Sequence, residues 1–138
     1  MTDEELIALF DRSTTVAVVG ASTDPEKPSN AIPRILLEAG FTMIPVNPTA
    51  TEIHGQEVYA SLEDVPVPID IVDVFRPSAE AAGIAESAAT VGAKTLWLQQ
   101  GITSEAAKGI AEDAGLDYVE DLCIGATVKR LGYSKSGS

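Results

Sequence analysis

The sequence of 138 residues contains one cysteine, one histidine and few basic residues. A single cysteine cannot form an internal disulfide, and no cluster of cysteine and histidine has the spacing of a zinc site. Nine lysine and arginine residues stand against 21 acidic ones, which gives a net charge of −12 at pH 7. This balance argues against nucleic acid and membranes as partners, because both bind proteins through basic surfaces.

Long hydrophobic runs and targeting signals are also missing. No apolar run approaches the roughly 20 residues that a membrane-spanning helix requires. The chain starts Met-Thr-Asp-Glu-Glu, which lacks the basic and then apolar order of a signal peptide. Together with the lone cysteine, this predicts a cytoplasmic location. A hydrophobic content of 45% and a charged content of 22% fit one soluble domain over residues 1–138.

Segments typical of strands and of helices alternate along the chain. Short apolar runs predict five strands, at 16–20, 41–46, 69–75, 94–98 and 117–120. Amphipathic segments predict helices within 1–12 and at 31–39, 78–91, 104–114 and 124–131. Residues 132–138 are predicted to form a frayed tail. The alternation predicts an α/β fold, a Rossmann-like three-layer sandwich with a mostly parallel sheet of about five strands.

The most informative stretch follows the first strand. The segment Thr15-Thr-Val-Ala-Val-Val-Gly-Ala-Ser-Thr-Asp24 passes from a β-branched run to a glycine and then to hydroxyl-bearing residues. This order is typical of a buried parallel strand that leads into a phosphate-binding turn. The dinucleotide fingerprint requires three glycines, but Ser22 and Pro25 occupy the second and third positions. Residues Gly20, Ala21, Ser22 and Thr23 therefore predict a phosphate-bearing ligand more strongly than an ordinary NAD site.

The other strand ends supply further candidate residues, because ligands of an open parallel sheet bind beyond the carboxyl ends of its strands. The candidates are Asn47 and Pro48 after the second strand, Phe75, Arg76 and Pro77 after the third, and Gln99, Gln100 and Gly101 after the fourth. An arginine can pair with a phosphate through two hydrogen bonds, and glutamine amides both donate and accept. Two alternatives stay open: Asn-Pro also makes a simple strand-ending turn, and the arginine can form a salt bridge with an acidic residue.

Candidate catalytic residues are scarce, so the sequence leaves enzymatic activity undecided and favours a binding protein. His54 lies in a predicted loop distant from the strand ends, and no partner for it can be named. Cys123 follows the fifth strand between two apolar residues and is predicted to be a buried structural thiol. Lys27 and Arg34 follow the phosphate turn and can add positive charge there. Neither a metal-binding cluster nor a Gly-x-x-x-x-Gly-Lys phosphate loop is present.

Seven motifs occur in the same order as in a known family. They are Val18-Val-Gly-Ala-Ser22, Pro45-Val-Asn-Pro48, Ile53-His-Gly55, Tyr59-Ala-Ser-Leu62, Ile69-Asp-Ile-Val-Asp-Val-Phe-Arg-Pro77, Leu96-Trp-Leu-Gln-Gln-Gly-Ile102 and Asp121-Leu-Cys-Ile124. From about Thr15 to Leu131, the chain resembles the small stand-alone CoA-binding proteins. These are similar to the CoA-binding domain of the succinyl-CoA synthetase α subunit.

The resemblance implies a Rossmann-like domain that binds coenzyme A or an acyl-CoA without catalysis of its own. It implies that the pyrophosphate lies on the Gly20 turn, and that adenine and ribose border Asn47 and Pro48. It also implies that residues 75–77 flank the nucleotide and the pantetheine, whose end meets residues 99–101. An exposed Cys123 would be able to form a mixed disulfide with the CoA thiol.

The chain departs from the synthetase in two respects. The synthetase has a lysine after the proline of the second strand, where this chain has Thr49. It also needs a second domain with a phosphorylated histidine, and His54 does not lie in a matching motif. The alternative function is an NAD(P)-binding oxidoreductase or redox sensor, and a homodimer or a protein partner stays open.

Overall fold

The computed structural model describes residues 1–135. The helices of this part of the chain are α1 (Asp3–Asp11), α2 (Pro28–Glu38), α3 (Ala81–Thr90), α4 (Glu105–Asp113) and α5 (Ile124–Arg130). The strands are β1 (Thr15–Val19), β2 (Thr42–Val46), β3 (Glu52–Ile53), β4 (Gln56–Glu57), β5 (Ile71–Val74), β6 (Thr95–Leu98) and β7 (Asp117–Val119). Short 3₁₀ turns lie at Leu62–Asp64 and Ser78–Glu80.

Five strands form one parallel sheet in the order β2-β1-β5-β6-β7. This confirms the predicted Rossmann-like α/β fold. From β1 the chain first adds β2 on one side and then returns to add β5 on the other. The strand order therefore reverses at the carboxyl ends of β1 and β5, which is where ligands bind in sheets of this kind.

The two faces of the sheet are covered by different side chains. Helices α1, α2 and α5 cover one face, where the ring of Phe10 stacks on Trp97 at 5.7 Å and meets Phe41 edge-on at 5.7 Å. Helices α3 and α4 cover the other face with buried alanines: Ala81, Ala85, Ala88, Ala107 and Ala111. Both faces are buried, which explains why the strands read as continuous apolar runs.

Three local predictions need correction. Helix α2 begins at Pro28 rather than after residue 30, because proline fits the first turn of a helix. The helix predicted from residue 78 starts as a 3₁₀ turn and becomes regular only at Ala81, and Ser78 accepts a hydrogen bond from the Thr103 amide at 3.2 Å. The predicted loop that holds His54 contains the hairpin β3–β4, whose two turn residues both have positive φ.

The predicted frayed tail differs from the structure over residues 132–135, while 136–138 lie outside the described residues. The ring of Tyr133 lies 5.2 Å from that of Phe10. The Lys135 amide donates to the Ala39 carbonyl at 2.8 Å, and its Nζ donates to the Phe10 carbonyl at 2.7 Å. An aromatic ring and several hydrogen bonds thus hold this segment. No helix within residues 1–135 is long and apolar enough to cross a membrane.

Candidate functional site

Gly20 directly follows β1 and lies where the ends of two strands approach each other closely. Gly20 has a φ of 88°, and its amide donates to the Val46 carbonyl at 3.0 Å. A Cβ at this position would lie 2.8 Å from the Phe75 carbonyl oxygen and 2.9 Å from Cδ of Arg76. Glycine is therefore required for both the backbone angle and the space.

The turn after Gly20 is braced from two sides. The Ser22 amide donates to the Ser29 carbonyl at 3.0 Å, and Asn30 Nδ2 donates back to the Ser22 carbonyl at 2.8 Å. Asn47 Nδ2 donates to the Ala21 carbonyl at 2.9 Å. Carbonyl groups of the turn are thus satisfied by the protein itself, which fixes the direction of the amides between them.

Several amides beside this turn have unused hydrogen-bonding capacity. Within residues 1–135, no hydrogen bond occupies the N–H groups of Ala21, Thr23 or Ser29. Ser29 lies in the first turn of α2, whose N-cap residue Lys27 provides no side-chain cap. Free N–H groups at a turn and at the positive end of a helix are the elements of an anion site.

The side chain of Asn47 holds the backbone around the turn through hydrogen bonds. Besides its bond to the turn, its Oδ1 accepts from the amides of Thr49 at 2.8 Å and Ala50 at 2.9 Å. The Asn47 side chain therefore binds backbone groups on both sides. The Asn-Pro pair forms a strand-ending turn, as one of the two sequence-based alternatives predicted. Pro48 is exposed next to it and offers an apolar surface.

Two clefts meet at the carboxyl edge of the sheet. The turn cleft, of about 460 Å³, is lined by Gly20, Ala21, Ser22, Lys27, Asn47 and Pro48. The thiol pocket, of about 480 Å³, is lined by Pro28, Pro77, Gln99, Gln100, Ile102 and Cys123. Phe75 and Arg76 line both and join them. The structure thus brings most of the predicted site residues together.

Two of the predicted residues line neither cleft. Thr23 is exposed beyond the turn cleft. Gly101 is exposed as well, and its amide donates to Asp121 Oδ1 at 2.7 Å. With a φ of 85°, Gly101 forms the turn that brings the chain from β6 towards α4.

Arg76 is held by a neighbouring carboxylate. Its Nε and Nη2 donate to the two carboxylate oxygens of Glu80 at 3.2 and 2.7 Å. These hydrogen bonds raise the pKa of Arg76 and lower the pKa of Glu80. Arg76 thus forms the salt bridge that the sequence left open as an alternative. Both side chains are about half exposed. Exposed ion pairs are weak, so a phosphate can compete with Glu80 for Arg76.

The two other basic residues near the turn have different positions. Lys27 is exposed and lines the turn cleft, so it can add charge there. Arg34 pairs with Glu38 at 3.9 Å on an exposed face of α2 and lines neither cleft.

A buried carboxyl behind the thiol pocket was missed by the sequence reasoning. Asp73 lies on β5, in register with Val18 and Trp97, and is fully buried. Gln99 Nε2 donates to Asp73 Oδ1, while Gln99 Oε1 accepts from the Ile124 amide at 3.2 Å. Asp73 Oδ2 has no partner among the described residues. An aspartate inside the apolar run 69–75 was the available signal.

Burial controls the chemistry of this pair. Loss of hydration raises the pKa of Asp73 to about 8, so the carboxyl keeps its proton at neutral pH. Both the nitrogen and the oxygen of the Gln99 side chain take part in this network, and the residue is only 4% exposed. Gln99 therefore supports the wall of the thiol pocket, and Gln100 is the exposed glutamine.

The predictions for His54 and Cys123 were both wrong. His54 Nε2 lies 2.6 Å from the Asn30 carbonyl, because the hairpin β3–β4 folds over the start of α2. Cys123 is half-buried rather than buried, because the chain passes the carboxyl edge of the sheet before entering α5. Its Sγ accepts from the Ala126 amide at 3.4 Å.

A larger cleft along β7 has the wrong charge for an anion. Its volume is about 600 Å³, and its charged residues are Lys108, Glu112, Asp117, Glu120 and Asp121. Four carboxylates against one lysine repel a phosphate. No group of histidine, cysteine and acidic residues within 1–135 is placed to hold a metal ion.

The parallel sheet, with a glycine turn at the point where its strand order reverses, defines an α/β protein of the Rossmann-like class. A comparison with protein families matches residues 14–129 to the CoA binding domain. The chain belongs to this CoA-binding domain family.

Relatives of similar length support this assignment. The chain is 38% identical over 120 residues to protein YneT of Bacillus subtilis (strain 168), covering 87% of this chain and 89% of YneT. The structure of cell-free ID.343 from Thermus thermophilus is 38% identical, with a TM-score of 0.90 over 95% of this chain and 99% of that one.

The same fold also occurs inside a longer protein. A dinucleotide forming acetyl-coenzyme A synthetase of Ca. Korarchaeum cryptofilum, in complex with phosphate and ADP, is 32% identical with a TM-score of 0.69. The match covers 82% of this chain and 26% of the synthetase chain.

Proposed function

We propose that this protein binds coenzyme A or an acyl-CoA along the carboxyl edge of its sheet and acts as a binding protein rather than an enzyme. The observation that carries the proposal is the braced turn at Gly20, whose free amides lie where the strand order reverses. Membership of the CoA-binding domain family identifies the class of ligand.

The pyrophosphate is assigned to the turn cleft. The amides of Ala21 and Ser29 are free to donate within this cleft, the free amide of Thr23 lies beyond its edge, and the first turn of α2 adds its positive dipole end. Coenzyme A carries roughly four negative charges at neutral pH. Repulsion by the net charge of −12 is screened beyond about 8 Å, so Lys27 and Arg76 decide the local balance.

The two ends of the ligand are assigned to either side of Arg76. Pro48 offers an apolar shelf for the adenine beside the turn cleft. The thiol pocket offers Phe75, Pro77 and Ile102 to the pantetheine, with Gln100 available for its amides. Likeness to a domain of an acetyl-coenzyme A synthetase supports this arrangement.

A nicotinamide dinucleotide is the competing ligand, because its pyrophosphate suits the same free amides. The end of β2 speaks against it. Dinucleotide-binding sheets place an acid there for the ribose hydroxyls, whereas Asn47 spends its amide on Ala21, Thr49 and Ala50. An NAD or NADP molecule bound here would therefore lack this contact to its ribose.

Thermal unfolding with matched concentrations of coenzyme A, acetyl-CoA, NAD and NADP tests the proposal. A ligand present at 100 times its dissociation constant adds about 2.7 kcal/mol to the free energy of unfolding. We expect stabilisation by coenzyme A or acetyl-CoA. Stabilisation by NAD or NADP with none by the CoA compounds would overturn the proposal.

A further inference from the structure

The cysteine of this chain faces the end of the proposed binding site. Cys123 lines the thiol pocket together with Phe75, Pro77 and Gln100, and it is half-buried there. Phe75 and Arg76 are shared with the turn cleft, so a ligand that extends from the Gly20 turn past Arg76 enters this pocket. The free end of coenzyme A, opposite its nucleotide, is a thiol.

A buried carboxyl behind the wall of this pocket lacks one of its hydrogen-bond partners. Asp73 is fully buried, and its Oδ2 has no hydrogen-bond partner among residues 1–135. Its other oxygen is bound by Gln99, which lines the thiol pocket and also holds the amide of Ile124, next to Cys123. A buried polar atom without a partner is costly, and Gln99 connects its carboxyl to the lining of the pocket beside Cys123.

We propose that Cys123 forms a reversible mixed disulfide with coenzyme A by exchange with CoA disulfide. The Cys123 sulfur, after loss of its proton, attacks one sulfur of the CoA disulfide. The bond between the two CoA sulfurs breaks as the bond from Cys123 Sγ to one of them forms. The second CoA leaves as a thiolate and takes up a proton, so the step needs no other oxidant. This inference rests on the proposed function.

Binding at the clefts distinguishes this reaction from that of any accessible thiol. CoA disulfide has a nucleotide that the turn cleft and Arg76 can hold while its sulfur reaches Cys123. Glutathione disulfide has the same reactive bond and no nucleotide. Since holding a reactant next to the nucleophile raises the rate, we expect CoA disulfide to react about tenfold faster or more at equal low concentration.

The experiment follows adduct formation by intact-protein mass spectrometry. Wild-type protein is mixed with CoA disulfide or glutathione disulfide, and peptide mapping locates the adduct. We expect an adduct equal to one coenzyme A less two hydrogens on Cys123, removed by a reducing thiol and absent in Cys123→Ser. Arg76→Ala is expected to slow only the reaction with CoA disulfide, while Arg34→Ala, on an exposed face outside the clefts, changes neither rate.

Calorimetric titration of Cys123→Ser with reduced coenzyme A separates the two proposals. Binding by this variant, combined with equal rates for the two disulfides in wild type, would overturn the mixed disulfide and leave the proposed function standing. Absence of binding by both wild type and Cys123→Ser would remove the proposed function, and the inference would fall with it.

Discussion

The turn cleft and the thiol pocket share Phe75 and Arg76 but are built in opposite ways. The turn cleft is built largely from backbone, with amides left free by a network that satisfies the carbonyls around them. The thiol pocket is lined by side chains, with the sulfur of Cys123 in its wall and a buried carboxyl behind it. The turn cleft has the more polar lining, and the thiol pocket has the more apolar one.

The two clefts therefore tolerate different substitutions. A backbone site is insensitive to most side chains but fails when the chain path changes, as at Gly20. A side-chain site fails when its supporting network is altered, as at Asp73 and Gln99.

The buried carboxyl behind the thiol pocket should dominate the pH dependence of stability. Asp73 has a raised pKa of about 8 in the folded chain, against an ordinary value of 3.8 when unfolded. Well below pH 3.8 both states hold the proton, so the group has no effect on stability. As pH rises towards 8, the unfolded state ionises first and the free energy of unfolding falls, by on the order of 4 kcal/mol at pH 7.

Asp73→Asn should remove this slope, because asparagine keeps an oxygen for Gln99 and cannot ionise. Urea denaturation of both proteins from pH 4 to pH 9 measures it. The variant should be the more stable protein at pH 7 and should approach the wild type near pH 4. Equal slopes for the two proteins would show that Asp73 is not the cause.

Gly20→Ala should damage the turn cleft. The added Cβ meets the Phe75 carbonyl at 2.8 Å in a backbone with a φ of 88°. We expect a loss of stability on the order of 3 kcal/mol and at least a tenfold loss of CoA affinity, by denaturation and calorimetry. Gly55→Ala is the matched control, since its φ is 77° with no atom within 4 Å of the added Cβ. Equal losses in both variants would contradict the close approach.

Arg76→Ala tests the residue that joins the clefts. Loss of a charged hydrogen bond to the ligand should weaken CoA binding by on the order of 1–3 kcal/mol, measured by calorimetric titration. Arg34→Ala is the control, because Arg34 also pairs with a glutamate four residues later but lines neither cleft. An unchanged dissociation constant for Arg76→Ala would remove this residue from the site.

Glu80→Gln should have the smallest effect and the opposite sign. Removing the carboxylate frees Arg76 and reduces negative charge beside the turn cleft. We expect CoA to bind roughly two- to fivefold more tightly at low salt, as for other exposed charge pairs. Glu38→Gln removes the same charge beside Arg34. If both variants gain equally, the cause is net charge and not the release of Arg76.

The fold could be predicted because each strand carries its own signal. The run before Gly20 is apolar on both sides of the sheet, and that alone identifies a buried parallel strand. The strand order then brings the turn and Arg76 to one edge whatever their side chains do. The tail was misjudged because Tyr133 packs on Phe10 and Phe41, rings contributed by distant segments.

The internal partners of the site residues could not be predicted, since they join segments far apart in the sequence. Asn47 braces Ala21 across 26 positions, and Gln99 binds Asp73 across the same separation. Cys123 is half-buried because of where β7 ends, not because of its neighbours in the sequence. A motif identifies the residues of a site, but the fold decides which of them are still free.

The most direct test of the account is an amide NMR titration of the wild-type protein with reduced coenzyme A. Binding along the carboxyl edge predicts the largest shifts at the amides of Ala21, Thr23, Ser29 and Gln100, with smaller ones elsewhere. Shifts concentrated along β7, or no shifts at saturating coenzyme A, would contradict the central claim that this edge binds the ligand.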